Sequence, residues 1–154
     1  MMGQAIKYNR LAPDAVKGMQ MLGSYLGQSS IEKSLIHLID IRASQLNGCA
    51  FCLDMHTKDA REAGEKEQRL YAVAAWREAP FFTERERAAL LWTETLTLLA
   101  GHPVPEEVRA QVRQVFSEQE FVDLTFAIST INAWNRLMIA FEIPAGSYKP
   151  ELAR

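Results

Sequence analysis

A chain of 154 residues that is 48% hydrophobic and 23% charged has the size and make-up of one globular domain with an ample core, and no second domain is expected. The formal net charge is -2 and the 17 basic residues are scattered without forming a block, which argues against a nucleic-acid partner. No apolar run approaches bilayer-spanning length, and Met1 to Lys7 lacks the apolar segment of a signal peptide, so no membrane partner and a cytoplasmic location are expected.

Residues 1–12 read as a mixed lead-in, and Pro13-Asp14 as the entry to a helix reaching about Leu26, with Val16, Met19, Leu22, Tyr25 and Leu26 at helical spacing. Ser29 and Glu32 have the spacing of a capping box and would open a second helix whose Ile31, Leu35, Ile36, Leu38, Ile39 and Leu46 form a broad apolar surface. Asn47-Gly48 stops it, because glycine accepts the left-handed conformation that ends a helix and redirects the chain. A third helix then opens on Cys49 and ends at Gly64, its later half (Lys58 to Glu62) solvated. A fourth fits Glu67 to Glu78, stopped by Pro80. Thr83 with Glu86 caps a fifth, which runs to Gly101. Pro105 suits the first position of a short sixth helix ending near residue 115. Ser117 with Glu120 caps a last helix running to about 141, with Phe121, Leu124, Ile128, Ile131, Trp134, Leu137, Met138 and Phe141 as a long apolar seam. No strand-like alternation competes, so the expected fold is an all-α bundle of about seven helices. The tail after Pro144 is expected to be loose or to reach a neighbouring subunit.

Both cysteines lie in the stretch Ser44-Gln45-Leu46-Asn47-Gly48-Cys49-Ala50-Phe51-Cys52. Cys49 and Cys52 are three apart and His56 is four beyond, so all three project from one stripe of a helix. Free N–H groups and the positive end of the macrodipole in the first turn favour a thiolate, and an imidazole one turn on can take the proton. The dipole acts most on Cys49, whereas His56 is placed for Cys52. The two effects therefore pull toward different thiols.

With His56 following it, this stretch closely resembles the core motif of alkylhydroperoxidase D (AhpD)-like proteins of the carboxymuconolactone decarboxylase superfamily. The resemblance is strongest over residues 31–96 and includes Trp76-Arg77-Glu78. It implies an AhpD-like helical fold assembled as a homo-oligomer, a trimer or hexamer, and a thiol peroxidase that works without a cofactor. Hydroperoxide is the implied substrate, with re-reduction by a dithiol such as a lipoyl or thioredoxin-like donor. Carried over by position, it makes Cys52 peroxidatic, Cys49 resolving and donor-facing, and His56 the proton acceptor. Members that act as decarboxylases generally lack the cysteine pair. One position departs from the pattern: His37 stands twelve residues before Cys49, where a relay glutamate is usual. A histidine there can still accept or pass a proton. Asp40, three residues on, is read as an exposed helical aspartate, with partnership to His37 as the lesser reading.

Other chemistries fit the same residues. Cys49, Cys52, His56 and His37 are zinc-ligand types, but three on one helix is not how closed tetrahedral sites are usually built. The cysteines could be small buried hydrophobes, or a sensor disulfide that alters oligomerisation without catalysis. A lactone decarboxylase would keep its proton-transfer chemistry without either thiol. His102 is read as a loop residue, the three tryptophans as packing anchors, Tyr71 and Phe51 as packing before pocket lining, and Asn135-Arg136 as a structural hydrogen-bonding pair.

Overall fold

The computed structural model describes residues 5–151, and among these there is no strand. Eight α-helices follow in order: α1 (Tyr8–Leu11), α2 (Pro13–Leu26), α3 (Lys33–Asn47), α4 (Ala50–Glu62), α5 (Glu67–Ala72), α6 (Glu84–Thr97), α7 (Glu106–Val115) and α8 (Glu118–Ala140). The all-α expectation is met, with α1 added in the stretch read as a lead-in.

Helix α3 is the centre of the bundle, packing on α4, α6 and α8 with buried apolar side chains on two of its faces. Leu35, Ile39 and Ala43 join Ala89 and Trp92 of α6 with Leu124, Ile128 and Ile131 of α8. From its other face, Leu38 and Ile41 meet Ala60, Leu70, Val73, Trp76 and Leu90. Leu38, Ile39 and Ile41 are at most 1% exposed, so each contributes roughly 1.5–3 kcal/mol of burial.

The capping boxes at Thr83 and Ser117 both form, each hydroxyl accepting the N–H three residues on while the glutamate there accepts the cap's N–H. The expected box at Ser29 does not. Glu32 is itself the N-cap, without a side-chain cap bond, because Arg85 draws its carboxylate away. Ser29 instead donates back to the Leu26 carbonyl. The fourth predicted helix is also shorter: α5 tightens into a 3-10 turn at Val73–Ala75. Beyond it, Arg87 donates to the carbonyls of Trp76, Arg77, Ala79 and Phe82, which satisfies the chain without further helix. Helix α6 ends at Thr97, short of Gly101, and Pro105 is the extended N-cap of α7, one residue before the position expected.

The later half of α4 is solvated only in part: Arg61 and Glu62 are exposed as expected, whereas Ala60 is buried and Lys58 and Asp59 are half-covered. The tail straps across it: Gly146 N–H donates to Asp54, Lys58 donates to the Tyr148 carbonyl, and the Tyr148 hydroxyl donates to Asp59 over 2.7 Å. Burial, with Asp59 behind it, pushes the Tyr148 hydroxyl up to about 12.

Asn135 is fully buried and structural, as the sequence suggested. It donates to Ser44 and accepts from Asn47, which also donates to Asn132, while Arg136 stays at the surface on Asn132. This amide network fixes the end of α3 against α8 immediately before the cysteines. Asn135→Ala strands Ser44 and loosens Asn47, so about 2 kcal/mol should be lost in urea unfolding.

Candidate active site

The turn between α3 and α4 is set by Gly48, whose positive φ of 69° sends its N–H back to Gln45 and Ser44. Cys49 follows as the extended N-cap of α4, and Cys52 lies in its first turn. The two sulfurs are joined as a disulfide, and the Cys52 N–H points at Cys49 Sγ over 3.3 Å. That donor sits at the positive end of a thirteen-residue helix, a position whose field favours negative charge.

The cysteines are each about 1% exposed and pack on Met138 of α8, with Phe51, Trp134 and Tyr8 around them. They face different openings. Cys52 lines a cavity of about 500 Å³ together with His56, Asp40 and His37, all on α3 and α4. Leu26, Ala127, Ile131, Trp134 and Met138 make its opposite, apolar wall. Cys49 lines a separate groove of about 600 Å³, with Glu142, Ile143 and Pro144 on its far side. The single stripe read from sequence is thus split between two surfaces, because an N-cap side chain leaves the helical path.

His56 Nδ1 lies 3.3 Å from Asp40 Oδ2, and both side chains are about 15% exposed. Asp40 is therefore not the exposed aspartate expected, and its partner is His56 rather than His37. The one sequence signal was weak: Asp40 is three residues after His37 and so shares the face of α3 that lines the cavity. Burial pushes the Asp40 carboxyl well above the usual carboxylate range, with Asp59 adding to it. Burial also pulls His56 down to about 4, with His37 adding to it. Burial thus disfavours the charged form of each group, the carboxylate of Asp40 and the imidazolium of His56. His37 is likewise lowered, chiefly by burial, against the opposing pull of Asp59 and Glu65.

The lowered imidazole has a stability consequence. Between about pH 6.5 and 4 the unfolded chain binds a proton at His56 that the folded chain refuses, so stability falls as pH drops through this window. For His56 alone the loss from pH 7 to pH 5 is about 2 kcal/mol. His56→Gln should flatten that part of the urea-midpoint profile.

Of the other residues considered, Phe51 lines both openings, whereas Tyr71 is 70% exposed, bonded to Glu67 and far from lining either. Trp76 and Trp92 are core residues, Trp134 is on the cavity wall, and His102 is exposed in its loop. Among the described residues no group of three His, Cys, Asp or Glu side chains converges as a metal would need. No described helix is long and apolar enough to cross a membrane.

The carboxymuconolactone decarboxylase family model matches residues 13–95, which hold the turn, both cysteines, His56, Asp40 and His37. The chain is an AhpD-like member of this family. YdfG of Bacillus subtilis, an uncharacterised protein, is 46% identical over 95% of this chain and 99% of its own length. YnjA of Escherichia coli, also uncharacterised, is 30% identical over 77% of this chain and 64% of its own. A solved structure from Agrobacterium tumefaciens, a protein of unknown function placed with the antioxidant defence protein AhpD, is 40% identical. It superposes with a TM-score of 0.89 over 95% of this chain and 100% of that one. The CxxC pair in this AhpD-like frame fits a peroxidase role.

Proposed function

We propose that this chain is a thiol-dependent peroxidase that reduces hydroperoxides through a Cys49–Cys52 disulfide cycle. The observation that carries this reading is the placement of Cys52 in a largely apolar cavity beside a buried His56–Asp40 pair, with Cys49 opening on a different side. The Cys52 thiolate attacks the outer oxygen of ROOH, breaking the O–O bond and forming the sulfenic acid Cys52–SOH. The His56–Asp40 pair passes the former thiol proton to the departing RO oxygen, giving ROH, and ends as it began. Cys49 then attacks the Cys52 sulfur, releasing water and forming the disulfide. A dithiol donor attacks Cys49 from its own groove, leaves oxidised as a disulfide and restores both thiols. The sum is ROOH plus dithiol to ROH, water and oxidised donor.

In this scheme Asp40 supplies the carboxyl group next to the catalytic imidazole. His37, at the position of the family's usual glutamate, shares the cavity wall with His56. Dihydrolipoamide or a thioredoxin-like dithiol should sustain many turnovers with an organic hydroperoxide. No turnover with either, joined to a redox-dependent change in sedimentation, would favour a sensor instead. Exposed Met21 and Tyr25 of α2 and Val122 and Phe126 of α8 support assembly as a homo-oligomer.

A further inference from the structure

The interior polar groups of this chain are matched with care. Asp123 receives Tyr25, Ser30 and Gln119, and Glu94 receives Arg42, Trp76 and Arg77. Among the described residues, two buried side-chain polar atoms have no partner, His37 Nδ1 and Thr130 Oγ1. Both residues line the cavity that holds Cys52. An unmatched buried polar atom is costly, so two on one cavity mark where something else supplies the bond.

Thr130 is the more telling of the two. A helical threonine or serine ordinarily satisfies its hydroxyl on the carbonyl four residues back, and Thr57, Thr93, Thr95, Thr125 and Ser129 all do so here. Thr130, 7% exposed, does not. Thr130 lines the cavity, and its hydroxyl has no partner within the protein.

The positions of these two groups along the cavity follow from the helices. Ser30, just before α3, bonds Asp123 near the start of α8, and Ser44 near the end of α3 bonds Asn135 further along α8, so the two helices run side by side in the same direction. His37 therefore lies level with Thr130 on the opposite wall. Met138, against the disulfide, is eight residues further along α8, roughly 12 Å at the helical rise. Between the two levels the wall is apolar: Ile131 and Trp134. Lys33, Asp59 and the backbone of Gly27 close the far end.

We propose that this far end recognises a second, hydrogen-bonding oxygen group of the substrate, a terminal hydroxyl or carboxylate carried on an apolar chain roughly 12 Å from the peroxide at Cys52. A linear chain of roughly eight to ten carbons spans that distance. The Thr130 hydroxyl and the His37 imidazole hold the oxygen; for a carboxylate, attraction by Lys33 is opposed by Asp59 at the same end. Thr130 is then a specificity-determining residue, and the cavity selects chains with polar ends over plain alkyl hydroperoxides of equal length. The orientation rests on the peroxidase reading, but the recognition does not require turnover.

The test separates the two. n-Octanol, the matching terminal diol and the matching ω-hydroxy acid are titrated by calorimetry into the oxidised full-length protein. The diol or the hydroxy acid should bind about tenfold more tightly than n-octanol. A tighter diol assigns a hydroxyl and a tighter hydroxy acid assigns a carboxylate. Thr130→Val should erase the preference and Thr130→Ser should keep it. The corresponding hydroperoxides should show the same ordering in kcat/KM, carried mainly by KM, with the ratio collapsing in Thr130→Val. Selective binding without turnover would end the peroxidase reading and leave the recognition standing. Equal affinities, no binding of any of the three, or a preference that survives Thr130→Val would overturn the proposal.

Discussion

Replacing Cys52 with serine should abolish hydroperoxide reduction, while replacing Cys49 should stop turnover after one event. Cys52 is the thiol that shares a cavity with His56, and a serine hydroxyl there is too weakly acidic and too poor a nucleophile to open an O–O bond. Cys49 does not line that cavity, so Cys49→Ser leaves the first chemical step in place. The variant should give about one equivalent of alcohol per subunit and accumulate a sulfenic acid that dimedone traps. Steady-state rates in both variants should fall by at least ~10³-fold, since neither can close the disulfide. Both should remain folded, because a bridge spanning so short a loop adds little stability and each residue is small. Full turnover in Cys52→Ser, or a dimedone adduct on Cys49 alone, would contradict the assignment.

The second large effect is expected at Asp40. Its carboxyl is raised in the fold above its unfolded value, so the stability tied to its protonation is fully present below about pH 4 and lost as pH rises through the folded value. At neutral pH this buried acid is a liability, and Asp40→Asn removes it. The variant should match wild type in urea at pH 4 and exceed it at pH 8. Its peroxide step should nevertheless slow by roughly 10²-fold, because the amide cannot exchange a proton with His56 Nδ1. His56→Gln should slow the same step by a similar factor, and the double variant should be little worse than either single one. An additive double variant would mean that the two side chains act separately.

The residues that build the fold speak locally, which is why so much of it could be read in advance. Thr83-Glu86 and Ser117-Glu120 satisfy their own helix ends without help from elsewhere, and Gly48 takes its left-handed conformation whatever surrounds it. Ser29-Glu32 has the same spacing and failed because Arg85, more than fifty residues away, competes for the glutamate. The helix expected through Glu78 was cut short by Arg87 in the same way. Within the candidate site, spacing was enough to group the cysteines with His56, and the family pattern to single out His37; Cys52, His56 and His37 do line one cavity. Asp40 was misjudged because exposure is a tertiary property: only the packing of α4 against α3 buries it beside His56. The division of the two cysteines between separate openings was hidden for a similar reason, since helical spacing does not apply to an N-cap side chain. Thr130 had a weak signal, a hydroxyl inside an apolar seam, and its missing bond is visible only in three dimensions.

Most directly, the fully reduced, metal-free protein should be exposed briefly to limiting organic hydroperoxide and its intact mass recorded, with peptide mapping. The account predicts rapid loss of two hydrogens per subunit, mapped to a Cys49–Cys52 bond, with one alcohol formed per bond. An unchanged mass under conditions where the hydroperoxide persists would contradict it, and so would stable oxygen addition at Cys52 without closure onto Cys49.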